Sequence, residues 1–192
     1  IRMNKGAILS TSFIPCRVPL RGSKEYKKLS CFALSDDGER LSSFGELHLE
    51  RYSKVVSTTA WKFIREEGLE LYGVVEIIDL SDHFPSVLFV VSDPSGEYFD
   101  YAKSHGLWHS NVVYITQEHA FVEVLSFSDL FIRNTSTDGD ATSVREALYM
   151  GVPVVATSTV DRPIGCITYK KLSRRLVYEM LFANDHLLQG NV

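Results

Sequence analysis

Short apolar runs alternate with amphipathic segments from residue 85 onward. Each apolar run is about four residues long and has apolar side chains at consecutive positions, so both of its faces are expected to be buried. The runs predict strands at Val87–Val91, Val112–Ile115, Leu130–Arg133 and Pro153–Ala156. The other segments predict helices at Glu97–His105, Phe121–Ser126, Thr142–Met150 and Leu172–Leu188. This alternation predicts an α/β fold in which a Rossmann-like parallel sheet is sandwiched by helices.

The pattern is less regular before residue 85. Residues 29–35 form a short apolar run that ends at Asp36-Asp37-Gly38, which predicts a buried strand followed by a turn. We take this run as the first strand of the sheet. Within 44–82, helical faces are expected around 60–64 and 74–78.

The amino-terminal part has a different charge from the rest. Residues 1–28 carry seven Lys or Arg and one Glu, which leaves −10 for residues 29–192 because the whole chain carries −4. Two prolines within 13–22 and the absence of a helical period predict an extended connector. We therefore divide the chain into a basic arm, 1–28, and one Rossmann-like domain, 29–192. The arm could be a solvated linker, a contact to another domain or a weak attachment to anionic lipid.

One connection between a predicted strand and a predicted helix differs from the others. It spans Asn134–Ser143, consists of small and hydrogen-bonding residues, and leads into the helix that holds Glu146. Gly139 allows the backbone to approach a ligand closely. The first amides of the helix have no intrahelical partners and lie at the positive end of its dipole, so they suit a diphosphate or sugar hydroxyls. Two carboxylates, Asp138 and Glu146, bracket the turn.

The segment from Ser128 to Thr157 resembles the signature of the large retaining glycosyltransferase group (group 1, family 4-like) that adopts the two-domain GT-B fold. That signature is a strand, a small-residue loop, an acidic residue with Gly, a Glu after six more residues, Gly-x-Pro, and a strand ending in Ala-Thr. In this sequence Asp138-Gly139 precedes Glu146, and Gly151-Val152-Pro153 follows. The resemblance implies the carboxy-terminal, donor-binding domain of a glycosyltransferase.

The resemblance also implies roles for individual residues. Asp138, where the group usually has Glu, and Glu146 would be the catalytic residues, with Asp138 on the donor sugar and Glu146 on the ribose. Residues 111–115 resemble the strand before the base-binding loop, which would place His119 in that loop. The remaining donor contacts would come from Gly139, Asp140, Ala141, Thr142 and Ser143.

The first strand of the group is normally followed by an Arg and a Lys that hold the diphosphate. In this sequence the run 29–35 leads into the acidic residues 36–39 and then Arg40. Three explanations stay open: Arg40 serves alone, a basic residue comes from elsewhere in the fold, or the site binds donors weakly.

Substrate and partners follow from the same resemblance. We expect a UDP-, GDP- or ADP-sugar as the donor of a hexosyl group, with no metal and no cofactor. A chain of 192 residues has room for one such domain, so we expect an amino-terminal GT-B domain as partner and no turnover by this chain alone. The acceptor could be lipid-linked at a membrane surface. The net charge of −4 argues against nucleic-acid binding.

Three cysteines without metal-like spacing, and the absence of an apolar run of about 20 residues, favour a cytoplasmic protein, peripheral to the membrane at most.

Two alternative interpretations concern the loop. Asp138-Gly139-Asp140 also fits the Asp-x-Asp pattern with which the other glycosyltransferase fold binds manganese. The loop could also be an ordinary helix start in which Asp140 or Thr142 is the N-cap.

A regulatory or ligand-binding module is the alternative outside the enzymes. Asp36-Asp37 and Thr157-Ser158 resemble parts of a phospho-receiver domain, but Asn134 stands where that domain needs an acceptor Asp. Trp61 and Trp108 could stack on a ligand, although their residue type favours burial.

Overall fold

A computed structural model of the protein describes residues 32–34, 40–41, 49–107 and 109–183, and it is built around one eight-stranded sheet. The strands of this sheet are β1 (Phe32–Leu34), β2 (Arg40–Leu41), β3 (Lys54–Thr59), β6 (Val87–Ser92), β7 (Val112–Ile115), β8 (Leu130–Arg133), β9 (Val154–Thr157) and β10 (Ile167–Tyr169). A separate two-stranded hairpin consists of β4 (Arg65–Glu66) and β5 (Leu69–Glu70). The helices are α1 (Val74–Ser81), α2 (Glu97–His105), α3 (Phe121–Leu125), α4 (Thr142–Tyr149) and α5 (Arg174–Phe182).

Six of the eight strands form a continuous parallel sheet in the order β7-β6-β3-β8-β9-β10. In chain order this is 3-2-1-4-5-6, the arrangement of dinucleotide-binding folds. The direction of winding reverses between β3 and β8, so the loops that leave these two strands diverge and open a crevice at the carboxyl edge. The predicted Rossmann-like parallel sheet is therefore confirmed.

Helices cover both faces of the sheet, as the apolar runs predicted. One face packs on α1, α2 and α5, and the other packs on α3 and α4. All six residues of β6 are buried, as are all four residues of β7, β8 and β9, which explains why these strands were visible as uninterrupted apolar runs. No described helix has the length and apolarity that crossing a membrane requires.

The predictions before residue 85 need correction. The run 29–35 was taken as the first strand of the sheet, but β1 pairs antiparallel with β7 and forms an edge hairpin with β2. The first parallel strand is β3, and helical residues are absent from the described positions 60–64. The helical face expected around 74–78 is confirmed as α1. The whole arm 1–28, which includes the connector 13–22, and the end of the predicted terminal helix lie outside the described residues.

Candidate functional site at the reversal point of the sheet

Two loops border the crevice, and they are bonded to each other. They are residues 60–73, which follow β3, and residues 134–141, which follow β8. The amide of Ser136 donates to the carbonyl of Leu71 at 2.8 Å, and Asn134 Nδ2 donates to the carbonyl of Gly73 at 3.0 Å. Gly73 has φ +61°, and a Cβ there would overlap Asn134, so only glycine fits this close approach. These contacts fix the positions of the two loops relative to each other.

Asp138 is held by two arginines, one at the end of a strand and one in a loop. Arg133, the last residue of β8, donates from Nε to Oδ2 at 2.9 Å and from Nη2 to Oδ1 at 3.2 Å. Arg162, in the loop after β9, donates from Nη1 to Oδ2 at 2.9 Å. The Asp138 side chain is 9% exposed and that of Arg162 only 3%. This buried ion cluster joins the carboxyl ends of β8 and β9.

Hydroxyl and carbonyl groups complete the cluster. Arg162 also donates to the carbonyl and the hydroxyl of Thr157 and to the hydroxyl of Thr135, all at 3.0–3.1 Å. Arg133 donates from Nη1 to the carbonyl of Thr59, at the end of β3, and its guanidinium lies over the ring of Tyr72. The cluster thus spans the reversal point from β3 to β9.

The cluster has more positive than negative charge. Two guanidinium groups contact one carboxylate, Asp138, which leaves a net charge of +1 among these three side chains. The neighbouring carboxylate of Glu76 is exposed and accepts a hydrogen bond from Asn134. Burial raises the pKa of Asp138, but the hydrogen bonds and charges of the two arginines outweigh burial and hold that pKa below its usual range.

Glu146 lies on α4 and differs from Asp138 in its environment. Its carboxylate is half-buried and has no hydrogen bond or ion pair within the described part of the chain. Burial without a compensating partner raises the pKa of Glu146. A carboxylate in this condition is typical of a binding or catalytic position.

The amino terminus of α4 carries no side-chain cap. Its N-cap residue is Ala141, and in the described part of the chain no side chain accepts a hydrogen bond from the first amides. The alternative in which Asp140 or Thr142 caps the helix is therefore wrong, and these amides remain suited to an anion. Asp140 instead pairs with Arg145 at 2.7 Å, where both side chains are exposed.

The other members of the loop lie at the surface of the crevice. Apart from its two chain neighbours, no described residue has an atom within 4 Å of the position that a Cβ would take at Gly139. Thr142 is exposed, and Ala141 and Ser143 are half-buried. The fold brings all five predicted donor contacts from 139 to 143 to the same crevice edge as Glu146.

His119 also lies at the carboxyl edge, in the loop after β7. Its Nδ1 is 2.6 Å from the carbonyl of Gln117, which makes Nδ1 the donor. Its Nε2 lies 2.9 Å from the Ser92 hydroxyl and accepts from it in the neutral imidazole. Thr59 donates in turn to Ser92 at 3.2 Å, so a chain of hydrogen bonds connects the ends of β7, β6 and β3.

Arg40 is far from these residues. It lies on the outermost strand, β2, five strands from β8, a separation of about 24 Å at ~4.8 Å per strand. It pairs with Leu34 on the antiparallel β1. The interpretation that Arg40 follows the first parallel strand is wrong, because that strand is β3 and not the run 29–35.

The residues that follow β3 were missed as site candidates. Lys62 is exposed, and Arg65 is held against α2, where it donates to the Tyr101 hydroxyl at 3.1 Å. The expected burial of Trp61 is wrong, because this side chain is 72% exposed, while Trp108 lies outside the described residues. Arg133 could have been found in the sequence as a charged residue ending a buried strand; Arg162 gives no local signal.

Comparison with known proteins identifies the fold. No family model matches the chain, and no curated protein sequence matches it. Anabaena HepE in complex with UDP is similar with a TM-score of 0.56 and 14% identity, over 74% of this chain and 42% of HepE. HepE in complex with UDP-glucose gives a TM-score of 0.54 and 18% identity over the same shares, 74% and 42%.

A third similar structure is the apo form of the lipopolysaccharide outer core galactosyltransferase WaaB. Its TM-score is 0.54 at 13% identity, over 68% of this chain and 41% of WaaB. The chain thus spans about two fifths of the length of these proteins. Identities this low show the fold alone. The resemblance to a GT-B domain is confirmed at that level, and the protein has the fold of one domain of these larger proteins.

Proposed function

We propose that this chain is the donor-binding domain of a glycosyltransferase and that it holds a nucleoside diphosphate sugar in the crevice between β3 and β8. The observation that carries the proposal is Glu146, a half-buried carboxylate without a partner among the described residues, beside an uncapped helix terminus at the reversal point of the sheet. Bound UDP and UDP-glucose in the HepE structures support a UDP-sugar as the donor.

The proposal assigns a group in the crevice to each part of the donor. Glu146 would accept hydrogen bonds from the ribose hydroxyls, and the loop that holds His119 would contact the base. The amides at Thr142 and Ser143 would bind the diphosphate. The usual Arg and Lys for the diphosphate are missing after the run 29–35. The net charge of +1 on the cluster of Arg133, Arg162 and Asp138 supports the explanation that a basic residue comes from elsewhere in the fold.

Asp138 would serve both the cluster and the sugar. Its Oδ2 accepts from Arg133, Arg162 and Thr135, whereas Oδ1 accepts only from Arg133 among the described residues. Oδ1 therefore retains the capacity to accept a further hydrogen bond, from a hydroxyl of the donor sugar. Asp138 would then orient the sugar while it holds the two guanidinium groups in place.

Titration calorimetry with UDP, UDP-glucose, UDP-galactose, GDP-mannose and ADP-glucose tests the proposal. We expect measurable binding, with the uridine nucleotides tightest. A domain that binds none of the five compounds would contradict the proposal and favour the regulatory module.

We expect donor binding without a divalent metal. The two carboxylates of the Asp-x-Asp pattern are both paired with arginine, Asp138 with Arg133 and Arg162, and Asp140 with Arg145. Neither is free to neutralise a cation, whereas in the proposed site the diphosphate would have arginine charge and helix amides to neutralise it. Calorimetric titration of UDP-glucose with and without EDTA should give equal affinities. A loss of binding in EDTA that Mn²⁺ restores would instead support the manganese interpretation.

We also expect binding without transfer. Catalysis needs groups on both sides of the reacting carbon and a cleft that excludes water, and a second domain would supply the other side. Residues 1–192 should release UDP from bound UDP-glucose by slow hydrolysis at most. A coupled assay for UDP measures this rate. This chain alone should not transfer the sugar to any acceptor, lipid-linked ones included. Transfer at ordinary enzymatic rates would contradict the proposal that catalysis needs a second domain.

A further inference from the structure

Trp61 is exposed at the place where the proposed donor site opens. It stands two residues after β3, the strand that borders the crevice, and 72% of its surface is exposed. Tryptophan is highly buried on average in folded proteins, so this degree of exposure is unusual for the residue type. Its position, rather than its residue type, makes it a candidate contact.

The segment that carries Trp61 is fixed on both sides. The amide of Ala60 donates to the carbonyl of Ser92 at 3.0 Å, and the amide of Phe63 donates to Glu97 Oε2 at 2.8 Å. The Phe63 ring stacks on Tyr101 with 4.4 Å between ring centroids. The backbone on either side of Trp61 is therefore anchored, so the exposed indole is presented by a pre-organised support.

The surroundings of Trp61 are polar. Lys62 is exposed beside it, and the carbonyl of Thr59, two residues earlier, accepts from Arg133 of the ion cluster. One flat aromatic face, with a cationic residue next to it in the chain and another at the end of the neighbouring strand, matches a pyranose ring, which has an apolar C–H face and a polar rim.

We propose that Trp61 stacks on a pyranose ring in the crevice and thereby determines which sugars are accepted. This inference rests on the proposed donor site and adds a sugar contact from the β3 side. The ring belongs to the donor or to a saccharide acceptor. Both sources present the same chemistry to the indole, and the two arms of the experiment separate them.

The donor arm compares UDP with UDP-hexoses by calorimetry in Trp61→Ala, Trp61→Phe and the parent protein. Leu69→Ala is the matched control, because Leu69 is a similarly exposed apolar residue of the same connection. If Trp61 contacts the donor sugar, Trp61→Ala weakens UDP-hexose binding about five-fold or more and leaves UDP unchanged. Trp61→Phe retains most of the affinity, and Leu69→Ala behaves like the parent.

The acceptor arm adds maltose, cellobiose or lactose to UDP-saturated protein and follows indole emission. If Trp61 contacts an acceptor, at least one disaccharide shifts or quenches the emission of the parent, and Trp61→Phe abolishes that response. Normal UDP binding with no response in either arm overturns the inference for Trp61 alone. An equal loss of UDP and UDP-hexose in Trp61→Ala also overturns it. Absence of UDP binding by the parent contradicts the donor site and this inference together.

Discussion

Asp138→Asn should destabilise the domain by about 3–5 kcal/mol, the usual cost of removing one partner from a buried ion pair. The substitution leaves the guanidinium groups of Arg133 and Arg162 without a compensating charge, in a position where the Arg162 side chain is 3% exposed. Urea unfolding followed by circular dichroism measures the free energy of unfolding directly.

The same loop provides a matched control for Asp138. Asp140 is also an aspartate paired with an arginine, but its side chain is 58% exposed and that of Arg145 is 54% exposed. Asp140→Asn should therefore change the free energy of unfolding by only about 0–1 kcal/mol. Equal effects of the two substitutions would show that the Asp138 cluster has no special structural importance.

Acid should weaken the Asp138 cluster. The pKa of Asp138 is lower in the folded protein than in the unfolded chain, so its ionisation stabilises the fold at pH values above the unfolded pKa. That contribution is lost as the pH falls through the folded pKa. The parent should thus lose stability in acid more steeply than Asp138→Asn, which already lacks the ionised group.

The sequence predicted the second half of the domain well because its information is local there. The strands β6 to β9 are fully buried apolar runs, and the segment from Asp138 to Glu146 follows one strand without interruption. Parallel strands end at one edge, so the chemistry of a single strand–loop–helix unit was enough to indicate where a ligand would bind.

The first parallel strand was missed because some of its buried residues are polar. Within β3, Ser57 and Thr58 are buried, so the apolar run shrinks to Val55 and Val56. The hydrophobic pattern then assigned the first strand to 29–35 and looked for the diphosphate contacts at Arg40. Only strand pairing, a long-range property, reveals that Lys62 and Arg65 follow the first parallel strand.

The ion cluster could not be predicted from the sequence either, because it also depends on which strands are neighbours. Arg133 ends β8, and Arg162 lies in the loop after β9. The two side chains meet only because those strands are neighbours. Spacing in the sequence predicted that Asp138 lies near a ligand, but it could not reveal that two arginines hold its carboxylate. Local motifs therefore indicated a candidate site, and tertiary contacts determine its charge.

Glu146→Ala should weaken nucleotide binding ten-fold or more without destabilising the domain. Hydrogen bonds from ribose hydroxyls to an ionised carboxylate contribute about 1.5–3 kcal/mol, and no protein group competes for them among the described residues. Calorimetric titration with UDP measures the loss, and Glu179→Ala is the control because Glu179 is an exposed helical carboxylate of α5, outside the proposed site, that is paired with Arg175.

The pH dependence of Glu146 separates a ligand-binding role from a structural one. Burial raises its pKa in the folded protein, so its ionised form opposes folding above that pKa, and this penalty disappears as the pH falls through it. Glu146→Gln should thus be at least as stable as the parent at neutral pH, the opposite of Asp138→Asn.

UDP affinity of the parent should decrease as acid protonates Glu146, while that of Glu146→Gln should stay low and vary less over the same range. A destabilised Glu146→Gln variant that binds UDP normally would remove Glu146 from the site.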